Sequence, residues 1–140
     1  MAGNLNNVFD LAAGSMSSQL VRMNTIASNL ANVGTVASTA DQAYKTMRPV
    51  FETEFNQALG SREFLATPRV EEIVALDREP EQLYRPDHPK ANEDGFVFAS
   101  TVNVEEEMVE MMEASRQYQN TLEAVSTLRD LMARTVNMGK

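Results

Sequence analysis

Along the first part of the chain, apolar side chains recur in alternating steps of three and four: Ala2, Leu5, Phe9, Ala12, Met16, Gln19, Met23, Ile26, Leu30 and Val33, with Gln19 the one polar member. This alternation averages the coiled-coil period and predicts a helix that buries a narrow seam against a partner helix. Val8, Ala13, Leu20 and Ala27 widen the seam, so more than one neighbour fits. Asn4 or Asn6 is placed to cap the start, and Gly34 to stop the helix in a left-handed conformation. A helix of about 28 residues is about 42 Å long at 1.5 Å per residue, more than a small globule needs.

The C-terminal stretch repeats the design through Val104, Met108, Met111, Ser115, Tyr118, Leu122, Val125, Arg129, Met132 and Val136. A second stripe, Thr121, Ala124, Leu128, Leu131, Thr135 and Met138, lies beside it. Asn103 followed by Glu106 resembles a capping box, and Glu105, Glu106 and Glu107 stand where the helix macrodipole favours negative charge. Between the helices the period is lost. Residues 35–48 read as an extended linker, and 49–57 fit either a strand or a short helix. Arg69 to Leu76, Gln82 to Arg85 and Gly95 to Ala99 read as strands, with turn chemistry in Arg85-Pro86-Asp87-His88-Pro89 and Asn92-Glu93-Asp94-Gly95. The expected architecture is mainly α: two long terminal helices forming an antiparallel α-helical coiled coil, an extended linker and a small β-rich central element. Its expected parts are an N-terminal helix at 1–34, a linker at 35–68, a β-rich element at 69–101 and a C-terminal helix at 102–140.

Composition sharpens this picture. Hydrophobic residues make up 43% of the 140 positions but aromatics only 6%, with nine Met and no Trp, which suits adaptable helix packing. A net charge of −8 with no Lys/Arg cluster argues against a nucleic-acid partner. Residues 1–40 carry only Asp10 and Arg22, so this nearly neutral arm should be covered by a partner or stay disordered until it is. The absence of cysteine excludes disulfides, thiolate metal sites and Cys nucleophiles. No signal-peptide pattern and no membrane-spanning run of about 20 apolar residues is present. If the chain leaves the cytoplasm, it uses an export route that reads another kind of signal.

Candidate chemistry is sparse. His88, the single histidine, sits between two prolines after Asp87 and reads as part of a stiff turn, because a metal site needs several convergent ligands and a catalytic pair needs a nucleophile. Glu106, Glu110 and Glu113 share a helix face that reads as solvated, with a salt bridge to Arg116, Arg129 or Arg134 of another copy as the alternative. The Met residues at 16, 23, 108, 111, 112 and 132 have core spacing. No phosphate loop, nucleophile elbow or dinucleotide fingerprint occurs. The chain is therefore expected to have no catalytic, cofactor-binding or metal residues. Its working residues are an assembly seam of Leu5, Phe9, Ala12, Met16, Met23, Ile26, Leu30, Val104, Met108, Met111, Tyr118, Leu122, Val125, Met132 and Val136.

Three stretches carry a resemblance. Ala27-Ser28-Asn29-Leu30-Ala31-Asn32, followed by Thr35 and Tyr44-Lys45, is similar to the N-terminal signature of the bacterial flagellar rod and hook proteins. Tyr84-Arg85-Pro86-Asp87-His88-Pro89 with Asn92 and Asp94-Gly95 resembles a rod member of that family, as do Val102 to Val109 and Ala114 to Gln119. Residues 63–67 show no family pattern. The resemblance implies a structural subunit of the basal-body rod, the hollow drive shaft that crosses the periplasm. It also implies unprocessed delivery by the flagellar type III export apparatus, and terminal helices that order and pair on assembly with copies of the chain and other rod proteins. Two other readings stand beside it: a soluble coiled-coil interaction protein or export chaperone of the cytoplasm, and a small enzyme using Asp87, His88 and a glutamate.

Overall fold

The structure, a computed structural model, describes residues 2–57 and 64–139. Helix α1 spans Ala2–Ala31. It does not end on a left-handed Gly34, because among the described residues only Gly95 has a positive φ, of 80°. Tighter turns close it instead: the Asn32 amide donates to Asn29 O at 3.0 Å and the Val33 amide to Leu30 O at 3.4 Å. The Thr35 hydroxyl then donates to Asn32 O at 2.7 Å, using a carbonyl that the helix leaves over.

Two antiparallel sheets follow. Strands β2 (Met47–Gln57) and β3 (Phe64–Ala75) form a long hairpin. Its register steps from Val50–Glu72 to Phe51–Val70, leaving Glu71 as the extra residue of a bulge. The short strands β1 (Val36–Ala37), β4 (Gln82–Tyr84) and β5 (Phe96–Ala99) form a three-stranded sheet in the order β1-β5-β4, with Val97 fully buried at its centre. The expected boundary between linker and β-rich element at residue 68 thus falls inside β3, whose partner β2 occupies the expected linker. Strand β2 carries Pro49 and three polar residues in a row, a poor strand pattern by itself, and becomes a strand by pairing with β3.

The segment from 35 to 48 is extended apart from one 3-10 turn at Ala40–Gln42, and it is fastened. The Thr46 amide donates to Thr101 Oγ1 and the Thr46 hydroxyl to Thr101 O, both at 2.9 Å. The Leu76 amide donates to Thr46 O at 2.8 Å, and Thr46 is fully buried. Its lack of periodicity reflects bonding by backbone and hydroxyl groups, which leaves no apolar pattern to read.

Helix α2 spans Val104–Met138 and packs on α1, which also contacts β2 and β3. Asn103 Oδ1 accepts the Glu106 amide at 3.0 Å. This is half of the expected capping box, because the Glu106 carboxylate turns away to two arginines. The less exposed stripe of α2 runs Glu107, Met111, Ala114, Tyr118, Thr121, Val125, Leu128 and Met132. The expected seam shares Met111, Tyr118, Val125 and Met132 with it. Val104, Met108, Leu122 and Val136 are instead 40, 57, 48 and 65% exposed within this chain. Both stripes obey the same alternation, but it is the one with the fully buried Ala114 and the half-buried Thr121 that is less exposed, while the bulkier Leu122 stays outside.

In α1, Ile26 is buried and Phe9, Ala12, Met16, Met23 and Leu30 are half-buried, whereas the Leu5 side chain lies outside the described residues. Buried residues gather where the end of α1 meets the start of α2. Past Ala114, no described residue of α2 is buried.

Candidate assembly surface

The motif Ala27 to Asn32 occupies the last turns of α1. Its outer members Ala27, Ser28 and Ala31 are exposed, Leu30 and Asn32 are half-buried, and Asn29 is fully buried. Asn29 fills its hydrogen-bonding capacity with two elements at once. Its Nδ2 donates to Met47 O and to Glu107 Oε2, both at 2.9 Å. Its Oδ1 accepts the Met47 amide at 3.0 Å and the Tyr44 hydroxyl at 3.1 Å. One amide therefore ties α1 to the first residue of β2 and to the first turns of α2. Only Asn or Gln offers two N–H donors and a twofold carbonyl acceptor on one group, and Asn is the shorter of the two.

Glu107 is fully buried, and a buried carboxylate is tolerated only when paired and hydrogen-bonded. Arg48 Nη1 lies 2.6 Å from its Oε1, in an ion pair without hydrogen-bond alignment. Arg48 also reaches Glu106 at 3.3 Å, and Arg78 grips both oxygens of Glu106 at 2.8 and 2.9 Å. The bidentate hydrogen bonds from Arg78 hold the Glu106 carboxyl below its usual range, against a smaller opposing effect of burial. The same bonds push the Arg78 guanidinium up. A turn further on, Arg22 of α1 pairs with Glu110 of α2.

These contacts correct the reading of the acidic face as solvated. Glu106, Glu107 and Glu110 are held by Arg78, Arg48 and Arg22 of the same chain. Glu113 alone remains on the exposed side, bonded to Gln117 at 3.1 Å. The arginine partners lie 28 to 88 residues away in sequence, so no local spacing announces them. The Met reading also changes: Met108 and Met112 are 57 and 63% exposed, while Met16, Met23, Met111 and Met132 are half-buried.

His88 lies in the turn expected for it, its Nδ1 accepting the Lys90 amide at 3.1 Å. The Arg85 amide donates to Gly95 O at 2.9 Å, and the Tyr84 and Phe96 rings meet edge to face with centroids 5.2 Å apart. Gly95 is required there. Its positive φ strains any other residue, and a Cβ 3.0 Å from the Tyr84 ring would require that ring to give way by a few tenths of an ångström. Among the described residues, no three His, Cys, Asp or Glu side chains gather to hold a metal ion, and no helix is long and apolar enough to cross a membrane.

Comparison with known proteins matches both helices to one family of proteins. The family described as "Flagella basal body rod protein" matches residues 9–36, which contain the Asn29 motif. That described as "Flagellar basal body rod FlgEFG protein C-terminal" matches residues 93–138, which contain Glu106, Glu107 and the rest of α2. The flagellar basal-body rod protein FlgC of Salmonella typhimurium is 33% identical over 138 residues, covering 97% of this chain and 98% of its own. FlgC of Yersinia enterocolitica is 34% identical over 137 residues, with the same coverage of both chains. FlgC of Aquifex aeolicus is 32% identical over 134 residues, covering 96% of each. A likeness that runs nearly end to end, through both helices and the knot joining them, makes this chain a member of the FlgC family of flagellar basal-body rod proteins.

Proposed function

We propose that this chain is a structural subunit of the flagellar basal-body rod and not an enzyme. It is exported unprocessed by the flagellar type III apparatus and joins other rod proteins and copies of itself in the hollow shaft within the periplasmic space, where it supports motility. Its terminal helices pair as an antiparallel coiled coil. The observation that carries the reading is the full-length likeness to FlgC rod proteins. The opposite running of the contacts supports the helix pairing: from Arg22 to Asn29 along α1, the partners move back from Glu110 to Glu107 along α2. The half-buried members of the expected seam serve the intrachain pair, and the exposed Val104, Met108, Leu122 and Val136 serve neighbouring subunits.

Cryo-electron microscopy of purified basal bodies tests the assignment directly, with density for this chain in the rod wall as the expected result. Ile26→Asp or Met111→Asp should abolish motility and rod incorporation while export continues. A motile strain carrying either change would overturn the role given to those positions.

A further inference from the structure

Over the turns from Val104 to Val125, the stripe of α2 that faces α1 is the less apolar of two. Glu107, Met111, Ala114, Tyr118, Thr121 and Val125 are buried or half-buried, whereas Val104, Met108 and Leu122 are 40, 57 and 48% exposed. The stripes share Met111, Tyr118 and Val125, and a rotation of α2 by less than the roughly 100° between successive residues exchanges them. That rotation would put Met108, Ser115 and Leu122 inside in place of Glu107, Ala114 and Thr121, burying more apolar surface. Only further on, where Leu128 would give way to Arg129, does the balance reverse, and no described residue of α2 is buried there. Apolar burial around the crossing therefore favours the face that the structure leaves outside. The α1 side of the seam is imperfectly matched as well, because Oε1 of Gln19 is buried without a hydrogen-bond partner.

The groups that distinguish the two faces are polar. Asn29 Nδ2 donates to Glu107 Oε2 at 2.9 Å, Arg48 Nη1 pairs with Glu107 Oε1 at 2.6 Å, and Arg22 pairs with Glu110 a turn on. Asn29 and Arg22 are seven residues apart and stand on one side of α1, as Glu107 and Glu110 do on α2. Turning α2 moves both acids away from these partners together. Each buried polar group left unpaired disfavours the turned arrangement by about fivefold or more.

We infer that Asn29, Arg48 and Glu107, with Arg22 and Glu110, determine which face of α2 meets α1, an inference that rests on the reading of the terminal helices as an antiparallel pair. A seam of interchangeable Met, Val and Ala side chains fixes neither face nor register by itself, and a polar group within it fixes both at a cost in stability. The choice has a use in the rod. It leaves Val104, Met108 and Leu122 outside the pair, on the surface that the rod-subunit reading gives to neighbouring subunits.

The chain has no cysteine, so a single introduced thiol reports its own accessibility to N-ethylmaleimide. In the purified full-length chain, Ala114→Cys should react about 100 times more slowly than in urea, because several buried contacts must break together, and Met108→Cys at nearly its urea rate. Arg22→Met, Arg48→Met, Glu107→Met and Glu110→Met, combined, leave an apolar crossing. In that background Ala114→Cys should react faster and Met108→Cys more slowly, a slowing that unfolding cannot produce. Thr121→Cys and Leu122→Cys should converge in the same way. If the combined variant does not fold, charge exchange decides: Arg22→Glu with Glu110→Arg should keep the parent pattern, and either change alone, which opposes like charges, should narrow the difference between positions 114 and 108. A folded combined variant with Met108→Cys as reactive as in the parent overturns the inference, and so do single reversals without effect. Reaction of Ala114→Cys at its urea rate in the otherwise unchanged chain would instead overturn the helix pairing itself.

Discussion

Replacing Asn29 separates the knot from the general packing of the helices. In Asn29→Ala, the Met47 amide and the Glu107 Oε2 lose their partner, while the Tyr44 hydroxyl can turn to water. At about 1–3 kcal/mol for each buried polar group left unpaired, the loss is about 4 kcal/mol. With a urea dependence of about 2 kcal/mol per M, the unfolding midpoint falls by about 2 M. Asn29→Asp has the same shape and keeps Oδ1, but puts a second oxygen where Nδ2 now stands 2.9 Å from both Met47 O and Glu107 Oε2. Two carboxylates so close raise a folded-state pKa of the pair, because they cannot both ionise cheaply. Folding then favours the protonated form, so stability is lost as pH rises through that raised pKa and regained as pH falls through it. Asn29→Asp should be less stable than Asn29→Ala at pH 7, and the gap should close or reverse on acidification. Urea unfolding of the two full-length variants by circular dichroism, across a pH series, measures that gap while other carboxylates cancel. An Asp variant as stable as the parent at neutral pH, or a gap that ignores pH, would refute the Asn29–Glu107 contact.

A Cβ at Gly14 would lie 2.5 Å from the Thr67 Cγ2 methyl, so Gly14→Val should cost about 1–3 kcal/mol in unfolding experiments, and Thr67→Ser, which deletes that methyl, should recover part of it. Because the Arg78 hydrogen bonds depress the Glu106 carboxyl, its stabilisation is present above the ordinary value of 4.5 and disappears as pH falls through the lower folded-state value. The parent should therefore exceed Glu106→Gln by less than about 1 kcal/mol at neutral pH, given the exposure of the pair, and the two should converge in acid. Amide exchange of the dilute monomer should show protection around residues 25–30 and 105–114 and rapid exchange beyond Tyr118, since buried side chains of α2 stop at Ala114. Equal protection along the whole of α2 would contradict that gradient.

The two helices were legible because their apolar residues repeat at a period that only a helix places on one side. The turn from Arg85 to Gly95 was legible because Pro, Asp, Asn and Gly act on their own backbone. The motif around Asn29 was visible as a resemblance, yet its chemistry was not, since the partners Met47 and Glu107 lie 18 and 78 residues away. The same holds for the acids of α2, whose arginines come from α1, β2 and the segment after β3. Which of two equally periodic stripes faces inward showed only in the tertiary structure, where the small Ala114 sits fully buried and Leu122 is 48% exposed. Strand β2 likewise needed β3, because a strand with Pro49, Glu52 and Thr53 becomes one only when a partner completes its ladder. Sequence by itself determined the local features, those whose free energy comes from neighbours a turn or two away. The polar knot, the hairpin and the inward face exist only once distant groups meet, because burial, pairing and helix spacing are properties of that meeting.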